Sequence, residues 1–574
     1  MRNPGKRRSG RRGARLTLGL VLLLALMLRV WPLSFPSDVN PDEDSSVTRA
    51  LRMGRDGLNP RWYKYPPLFI YTLFATYGVR YGFERATGQV PSAQAFAERF
   101  FANPLPLFIQ GRLVSVLFGV LAVWALYLLA RRLSLSRPAA AAGALFLAVS
   151  PLLVRLSHFA LTDGPTVLPF IASLILAVRV LKKGRASDAF WAGALAGLAT
   201  AVKYPAGVGG VGLLVAAVGR GQTHQDAHAG RLVGWGLLGA VSAFLSACPW
   251  ALLDFSRFWQ YLLFLGDHVS KSWGGLQRGR RYGPYLLNYL PGALGWPIYL
   301  AGLLGLWVWL RREGWRPAIV AGPAVLFWVV MGAAKTHFLR FALAVLPVLA
   351  LSASRWIDHI PWRPRRRAVL LAGGMLVMAG PPLAASLAWD LRTAPPDTRT
   401  LATSWIERNI PAGARVLSES YGPRLAYTPD RAREIAAAER ARNPKSGAKF
   451  AHLAAHPPAR RPGYRFVKIP MRRESFYALD ADWYDPHRVN ASGIEWVVLS
   501  SAAYGRYARL GKWFPRQVAF GRWLSACWEE AARFGPFEPV PEGWIARRLG
   551  QSGLTLRVFR RKKRPPPGCR KDVR

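Results

Sequence analysis

An adjacent acidic pair, Asp42-Glu43, stands between Asp38 and Asp44 and is followed in the same stretch by Arg49, Arg52, Arg55, Arg61 and Lys64, among the aromatics Trp62, Tyr63 and Tyr65. Neighbouring carboxylates can divide labour, one taking a proton while the other orients a ligand, and grouped cations can hold an anion. A charged, solvated loop has the same composition. A second carboxylate, Asp163, lies in RLSHFALTDGP (155–165). It either caps the helix that Gly164-Pro165 opens or faces the acidic pair. His158 in the same segment reads as a satisfied structural histidine, and with Asp163 it makes too small a set for a metal. Lys64, Lys203 and Arg340 fall at the ends of apolar runs beside Tyr, Phe or Pro. Each can be a snorkelling side chain, or together they can form a phosphate site at headgroup depth.

These residues are spaced by apolar runs of membrane length. The first, 16–35, follows a strongly basic amino-terminal tail (1–15) and reads as a retained signal anchor. Ten more follow at 112–130, 138–154, 164–181, 188–203, 205–219, 232–252, 284–310, 317–334, 339–354 and 367–389, about eleven spans in all. The runs at 139–154 and 205–219 are short and rich in Ala and Gly, and either could be re-entrant. With the amino terminus in the cytoplasm, the inner loops 131–137, 182–185, 220–231, 311–316 and 355–367 are all short and basic, as the positive-inside rule requires. The outer face then receives loop 36–111, the 158–163 turn, Lys203-Tyr204-Pro205, loop 254–283, the 335–340 turn with Arg340, and everything after Trp389.

The formal net charge is +47, from 78 Lys+Arg against 31 Asp+Glu. Most of that charge punctuates apolar spans, which points to topology and anionic lipid rather than to nucleic acid. There is no GxxxxGK followed by Ser or Thr, and no GxGxxG after a strand, so nothing marks a nucleotide site. The three cysteines, Cys248, Cys527 and Cys569, are far apart and show no metal-ligand or CxxC spacing.

Beyond Trp389 the apolar runs stop. Residues 397–410 have helical spacing of Leu401, Trp405 and Ile406, while 415–420 and 495–501 read as strands. The expectation is an extracytoplasmic α/β domain over 390–560, with a mobile Ala-, Arg- and Pro-rich insertion at 431–462. A basic, disordered tail is expected at 561–574.

The ordered set PDE (41–43), KYPPL (64–68), SHFALTDGP (157–165), GLATAVKYPAG (197–207) and HFLRFALAVLP (337–347) resembles the membrane glycosyltransferases of the C-type fold. It is similar in particular to the group of protein O-mannosyltransferases and the lipid A aminoarabinose transferase, glycosyltransferase family 39. TSWIERNIPAGARVLSESYGP and IEWVVLSSAAYGRY in the outer domain resemble the tail region of its bacterial members. The resemblance implies a polytopic α-helical membrane enzyme that moves a sugar from a polyprenyl phosphate to a hydroxyl of a lipid, glycan or protein acceptor. It implies Asp42 as general base on the acceptor and Asp163 as the second acidic position. Lys64 and Lys203 match basic positions close to the donor phosphate, and Arg340 is a looser match. Glu43 is expected to share catalytic work with its neighbour. For cofactors the resemblance implies two cases: members closest to the oligosaccharyltransferases use a divalent metal and the mannosyltransferase branch uses none; no ligand cluster in the chain supports the metal, and the expectation is no cofactor. The competing readings are a transporter, against which no inverted repeat is evident, and an envelope-assembly scaffold without transferase activity.

Overall fold

The computed structural model describes residues 4–564 apart from 36–40, 224–227, 271–281, 284, 335–337, 360–363, 395, 443, 459–460, 470–480, 510, 513 and 536–553, together with 566 and 569. Asp38 and His337 lie outside the described residues.

The apolar runs fold as helices with their charges at the ends. Leu105–Arg132 is 28 residues long and closes on Arg131 and Arg132. Asp163–Lys183 opens on Asp163, closes on Lys182 and Lys183, and is stopped by Gly184 at φ 64°. Acid at the first turn and base at the last match the helix dipole, and a left-handed glycine is the usual stop. Large apolar side chains such as Trp124, Trp191, Leu237, Leu238, Val241 and Trp307 point outward, as expected of surfaces that meet lipid.

The eleven hydropathy runs do not translate into eleven helices of spanning length. Among the described residues four stretches are long and apolar enough to cross a bilayer: Leu105–Arg132, Asp163–Lys183, Ala229–Ala247 and Ala372–Asn409. Two bent pairs raise the number to six. Arg137–Ala148 and Pro151–Ser157 meet at 59°, and Tyr285–Leu294 and Trp296–Glu313 meet at 113°. The first break falls where Ser150 caps a new helix ahead of Pro151, and the second at Gly295, φ 84°. Broken helices at this depth need protein around them to satisfy their backbone; the first break is buried, with Ser150 donating to the Ala293 carbonyl, and the second, at Gly295, is half-buried after Leu290, Ala293 and Leu294. Ala186–Val202 and Ala318–Gly332 are shorter apolar helices.

Ala186–Val202 packs backbone to backbone on Ala229–Ala247. A Cβ at Gly193 would overlap the Gly236 carbonyl, and one at Gly197 the Ala240 carbonyl, the small-residue interface by which helices associate in lipid.

Residues 41–111 are largely helical rather than an open loop. Pro41–Asp56, Leu68–Ala86 and Ala93–Ala102 enclose a core of Val47, Met53, Trp62, Phe69, Ile70, Leu73 and Tyr77 against Leu107, Phe108, Ala160 and Val202. A composition that looks solvated still leaves each helix apolar side chains to bury, Val47 and Met53 in the first and Phe69, Ile70, Leu73 and Tyr77 in the second.

The carboxyl-terminal part is a six-stranded mixed sheet. Its strands are β1 (Arg415–Ser418), β2 (Ala426–Tyr427), β3 (Gly463–Lys468), β4 (Trp496–Ser500), β5 (Trp528–Phe534) and β6 (Leu556–Arg561), in the order β2-β3-β1-β4-β6-β5. The first four are parallel, and β6 and β5 run antiparallel. Alternate residues of β4 feed two cores. Val497 and Leu499 face Phe520 and Leu524, while Trp496 and Val498 face Ile406 and Ile410, the period of two of a strand covered on both faces. The 431–462 region expected to be mobile forms two packed helices, Pro429–Arg442 and Pro444–Ala455, because an Ala-rich sequence has high helix propensity once Pro is confined to the first turn. Phe101 and Glu98 of Ala93–Ala102 meet His452 at 5.8 and 3.9 Å, so the sheet domain and the 36–111 helices lie on the same side. Of the residues expected to form a disordered tail, Arg561 ends β6 and Cys569 forms a disulfide with Cys527 across 42 residues of sequence.

Candidate active site

Asp42 belongs to the first turn of Pro41–Asp56, with Glu43 and Asp44 beside it. Consecutive helical residues diverge by about 100°, so the two neighbours part company. Asp42 Oδ1 accepts from Lys64 Nζ at 3.1 Å and Oδ2 from Arg340 Nη1 at 2.9 Å. Tyr65 stands beside this carboxylate. Asp163 receives Lys203 through Oδ1, and Arg340 Nη1 stands 4.0 Å from its Oδ2. Two carboxylates and three cations drawn from five segments of the chain thus form one cluster with one positive charge in excess.

Local structure explains each placement. Pro66-Pro67 precede Leu68–Ala86 and leave Lys64 in the bend before it. Lys203 ends Ala186–Val202 in extended conformation, φ −155°, ahead of Pro205. Arg340 lies in the 3₁₀ turn Leu339–Ala342. Thr162, not Asp163, is the N-cap residue of Asp163–Lys183, which frees the Asp163 side chain for Lys203. Asp163 is buried, yet its Oδ2 has no hydrogen-bond partner. A buried acceptor left unmet costs free energy and marks a place where a donor group can dock.

Burial works against the charge on Asp42, but Arg340 and Lys64 more than offset it and hold the carboxyl well below the usual carboxylate range. Burial pushes the Tyr65 hydroxyl well above its ordinary value. The cluster opens onto a recess of about 20 Å³ lined by Thr166, Phe170, Lys203, Phe327, Arg340 and Leu343.

Glu43, expected to share catalytic work, is not in the cluster. Its oxygens accept from Arg112 Nε and Nη2 at 2.8 and 2.9 Å and from the Ala160 N–H at 2.9 Å. Arg112 gives its remaining nitrogen to the carbonyls of Leu33 and Phe35 at 2.6 and 2.7 Å. The pair is fully buried and joins four segments around the amino end of Pro41–Asp56. Arg112 went unnoticed in the sequence, where an arginine inside an apolar span was the available signal. His158 is buried, with Nδ1 2.8 Å from the Val154 carbonyl and Nε2 3.2 Å from that of Trp31.

The donor set does not suit a divalent cation, because both carboxylates are already matched by cations that would repel one. Among the described residues no three His, Cys, Asp or Glu side chains come together.

The comparisons agree with this architecture. A family model described as dolichyl-phosphate-mannose-protein mannosyltransferase matches residues 107–252. Among solved structures, ArnT from Cupriavidus metallidurans in the apo state shares 14% identity over 96% of this chain and 98% of that one, with a TM-score of 0.54. The same protein bound to undecaprenyl phosphate gives 13%, 95% and 97%, with a TM-score of 0.51. The archaeal oligosaccharyltransferase AglB from Archaeoglobus fulgidus, in complex with an inhibitory peptide and a dolichol-phosphate, gives 11%, 90% and 73%, with a TM-score of 0.52. A search of curated proteins finds no match. At these identities the likeness to solved structures is one of fold. The chain shares its fold with these proteins, and the resemblance read from the motifs agrees with that fold and with the family model over residues 107–252.

Proposed function

We propose that this chain transfers a glycosyl group from a polyprenyl-phosphate-linked sugar to a hydroxyl of a lipid, glycan or protein, on the extracytoplasmic face of the cytoplasmic membrane. The observation that carries the reading is the cluster itself: two carboxylates and three cations where the 36–111 helices meet apolar helices. A polyprenyl tail stays in lipid, so its phosphate must be met at such a boundary. An apolar cavity of about 540 Å³ between Ala186–Val202, Gly209–Thr223 and Ala229–Ala247 is lined by Thr200 and Gly207, on either side of Lys203 in the chain, and would take part of that tail. The basic inner loops support the orientation. So does the Cys527–Cys569 disulfide, since such bonds persist in oxidising compartments.

In the reaction the acceptor oxygen attacks the anomeric carbon as the bond to the phosphate oxygen breaks, in line and with inversion. The hydroxyl proton passes to Asp42, and the electron pair of the broken bond leaves on the carrier phosphate. The donor is a phosphodiester and the departing carrier a monoester, so one negative charge develops there. Lys64, Lys203 and Arg340 stabilise it, and no acid is needed to protonate the leaving group. Asp163 Oδ2 accepts from a sugar or acceptor hydroxyl. Asp42, held by two cations, is a poor base; a bound phosphate draws those cations away and restores its basicity.

The test is transfer by the purified chain in lipid nanodiscs, supplied with polyprenyl-phosphate sugars and envelope acceptors and followed by mass spectrometry. Asp42→Asn keeps the size and loses the basicity, so turnover should fall on the order of 10²–10⁴-fold. Undiminished transfer by that variant would remove Asp42 from the chemistry.

A further inference from the structure

The turns that carry Lys64 and Lys203 are tied together by hydrogen bonds that use neither lysine. Tyr204, next to Lys203, donates from its hydroxyl to the carbonyl of Tyr63, next to Lys64, at 3.1 Å. The Tyr63 hydroxyl donates to Asn59 Oδ1 at 2.9 Å and lies 3.4 Å from Asp254 Oδ2. Asn59 donates from Nδ2 to Asp254 at 3.0 Å, across 195 residues of sequence. Its Oδ1 also accepts the Arg61 N–H at 2.8 Å, in a turn where Arg61 holds φ 49°. A non-glycine residue in that region is unfavourable by about 1 kcal/mol, and such a conformation persists only where its surroundings enforce it. Tyr63 is fully buried and packs edge-on against Phe258 and Tyr261, with ring centroids at 5.7 and 6.0 Å. Tyr204 meets the same Phe258 at 6.2 Å. Asp254 immediately precedes the helix Phe255–Ser270 that brings these rings.

We propose that Asn59, Tyr204 and Asp254 are positioning residues that fix the spacing between the Lys64 and Lys203 turns, and so set how a donor phosphate is gripped. The proposal rests on the donor reading above. The pattern is specific to that task in two ways. The hydroxyl-to-carbonyl bond joins the residues directly adjacent to the two cations, so a shift in either turn moves an ammonium group. The Asn59–Asp254 bond fixes the strained turn from the opposite side, so the Lys64 turn has two anchors.

The test measures binding of undecaprenyl phosphate alone to the full chain in detergent, by calorimetry, with thermal unfolding recorded for each variant. Tyr204→Phe removes one hydroxyl and should weaken binding roughly three- to tenfold, the worth of one neutral hydrogen bond. Asp254→Asn, which keeps the side chain's shape, should act in the same direction. Lys64→Ala should weaken binding, and adding Tyr204→Phe to it should cost less than Tyr204→Phe costs alone, because only the Lys203 ammonium is then left to position. Wild-type affinity in Tyr204→Phe and Asp254→Asn beside a weakened Lys64→Ala overturns the proposal and leaves the donor reading standing. A multiplicative loss in the double variant, or lowered melting temperature at unchanged affinity, assigns these residues to general stability and also overturns it. Wild-type affinity in both Lys64→Ala and Lys203→Ala overturns the donor reading, and the proposal with it.

Discussion

Asp42 and Glu43 are neighbours in sequence with opposite situations in space. Asp42 is partly open, its side chain 20% accessible, whereas the Glu43 side chain has no accessible surface. We therefore expect Glu43→Gln to fail through stability rather than chemistry. Arg112 would be left buried with its charge unbalanced, a loss of up to about 3–5 kcal/mol when one partner of such a pair is removed. The melting temperature should drop sharply, while turnover per folded molecule falls far less than in Asp42→Asn. Equal turnover losses at unchanged melting temperature would return Glu43 to the reacting groups. Residue type and position near the ends of apolar runs, together with the family resemblance, pointed to Asp42, Asp163, Lys64, Lys203 and Arg340, which meet in space. Residue type alone did not say which member of the acidic pair faces the others, because that depends on the rotation of a helix that a charged composition disguised as a loop.

At the scale of elements, the parallel strands of the sheet end on a buried carboxylate. Glu419 follows β1, accepts from the Tyr484 hydroxyl at 2.8 Å and the Ser500 N–H at 2.6 Å, and is fully inaccessible. Burial outweighs these bonds and pushes its carboxyl up to about 7. The folded chain therefore holds a proton there that the unfolded chain releases near pH 4–5. The stability this group contributes is full below that range and is lost as pH rises through about 7, on the order of 2–4 kcal/mol in total. Chemical or thermal unfolding of the full chain between pH 5 and 8 should show the decline, and Glu419→Gln should flatten it; an unchanged slope would remove Glu419 as its source. Strands β1 and β4 were legible from their apolar runs. The two-residue β2, the strand order and the helical 431–462 region were not, since short edge elements are fixed by the partners they meet rather than by their own pattern.

At the scale of the molecule, hydropathy placed the helices but not their breaks. Gly295 and the Ser150-Pro151 junction look like ordinary small-residue positions until packing makes them corners. The cysteine pairing was likewise invisible, because two residues 42 apart become neighbours only once β5 and β6 are paired. A loop of that length should stabilise the sheet domain by roughly 3–4 kcal/mol. In intact cells a membrane-impermeant reductant, followed by a thiol-specific mass tag, should label Cys527 and Cys569 while Cys248, which is buried, stays unlabelled. Labelling of the pair only after the membrane is opened would place the sheet domain on the cytoplasmic side and overturn the proposed orientation.

The excess positive charge of the cluster has a consequence for the pace of turnover. A site that favours charge as it develops on a phosphate also favours the species in which that charge is complete. The spent carrier, a monoester, should therefore bind more tightly than the sugar-bearing diester it came from. Release of the carrier, rather than glycosyl transfer, is then expected to limit steady-state flux. Added undecaprenyl phosphate should compete with the donor, and a pre-steady-state burst of product should precede the slower linear phase. Arg340→Lys, which keeps the charge but gives up the planar fork near both carboxylates, should weaken that inhibition and shrink the burst.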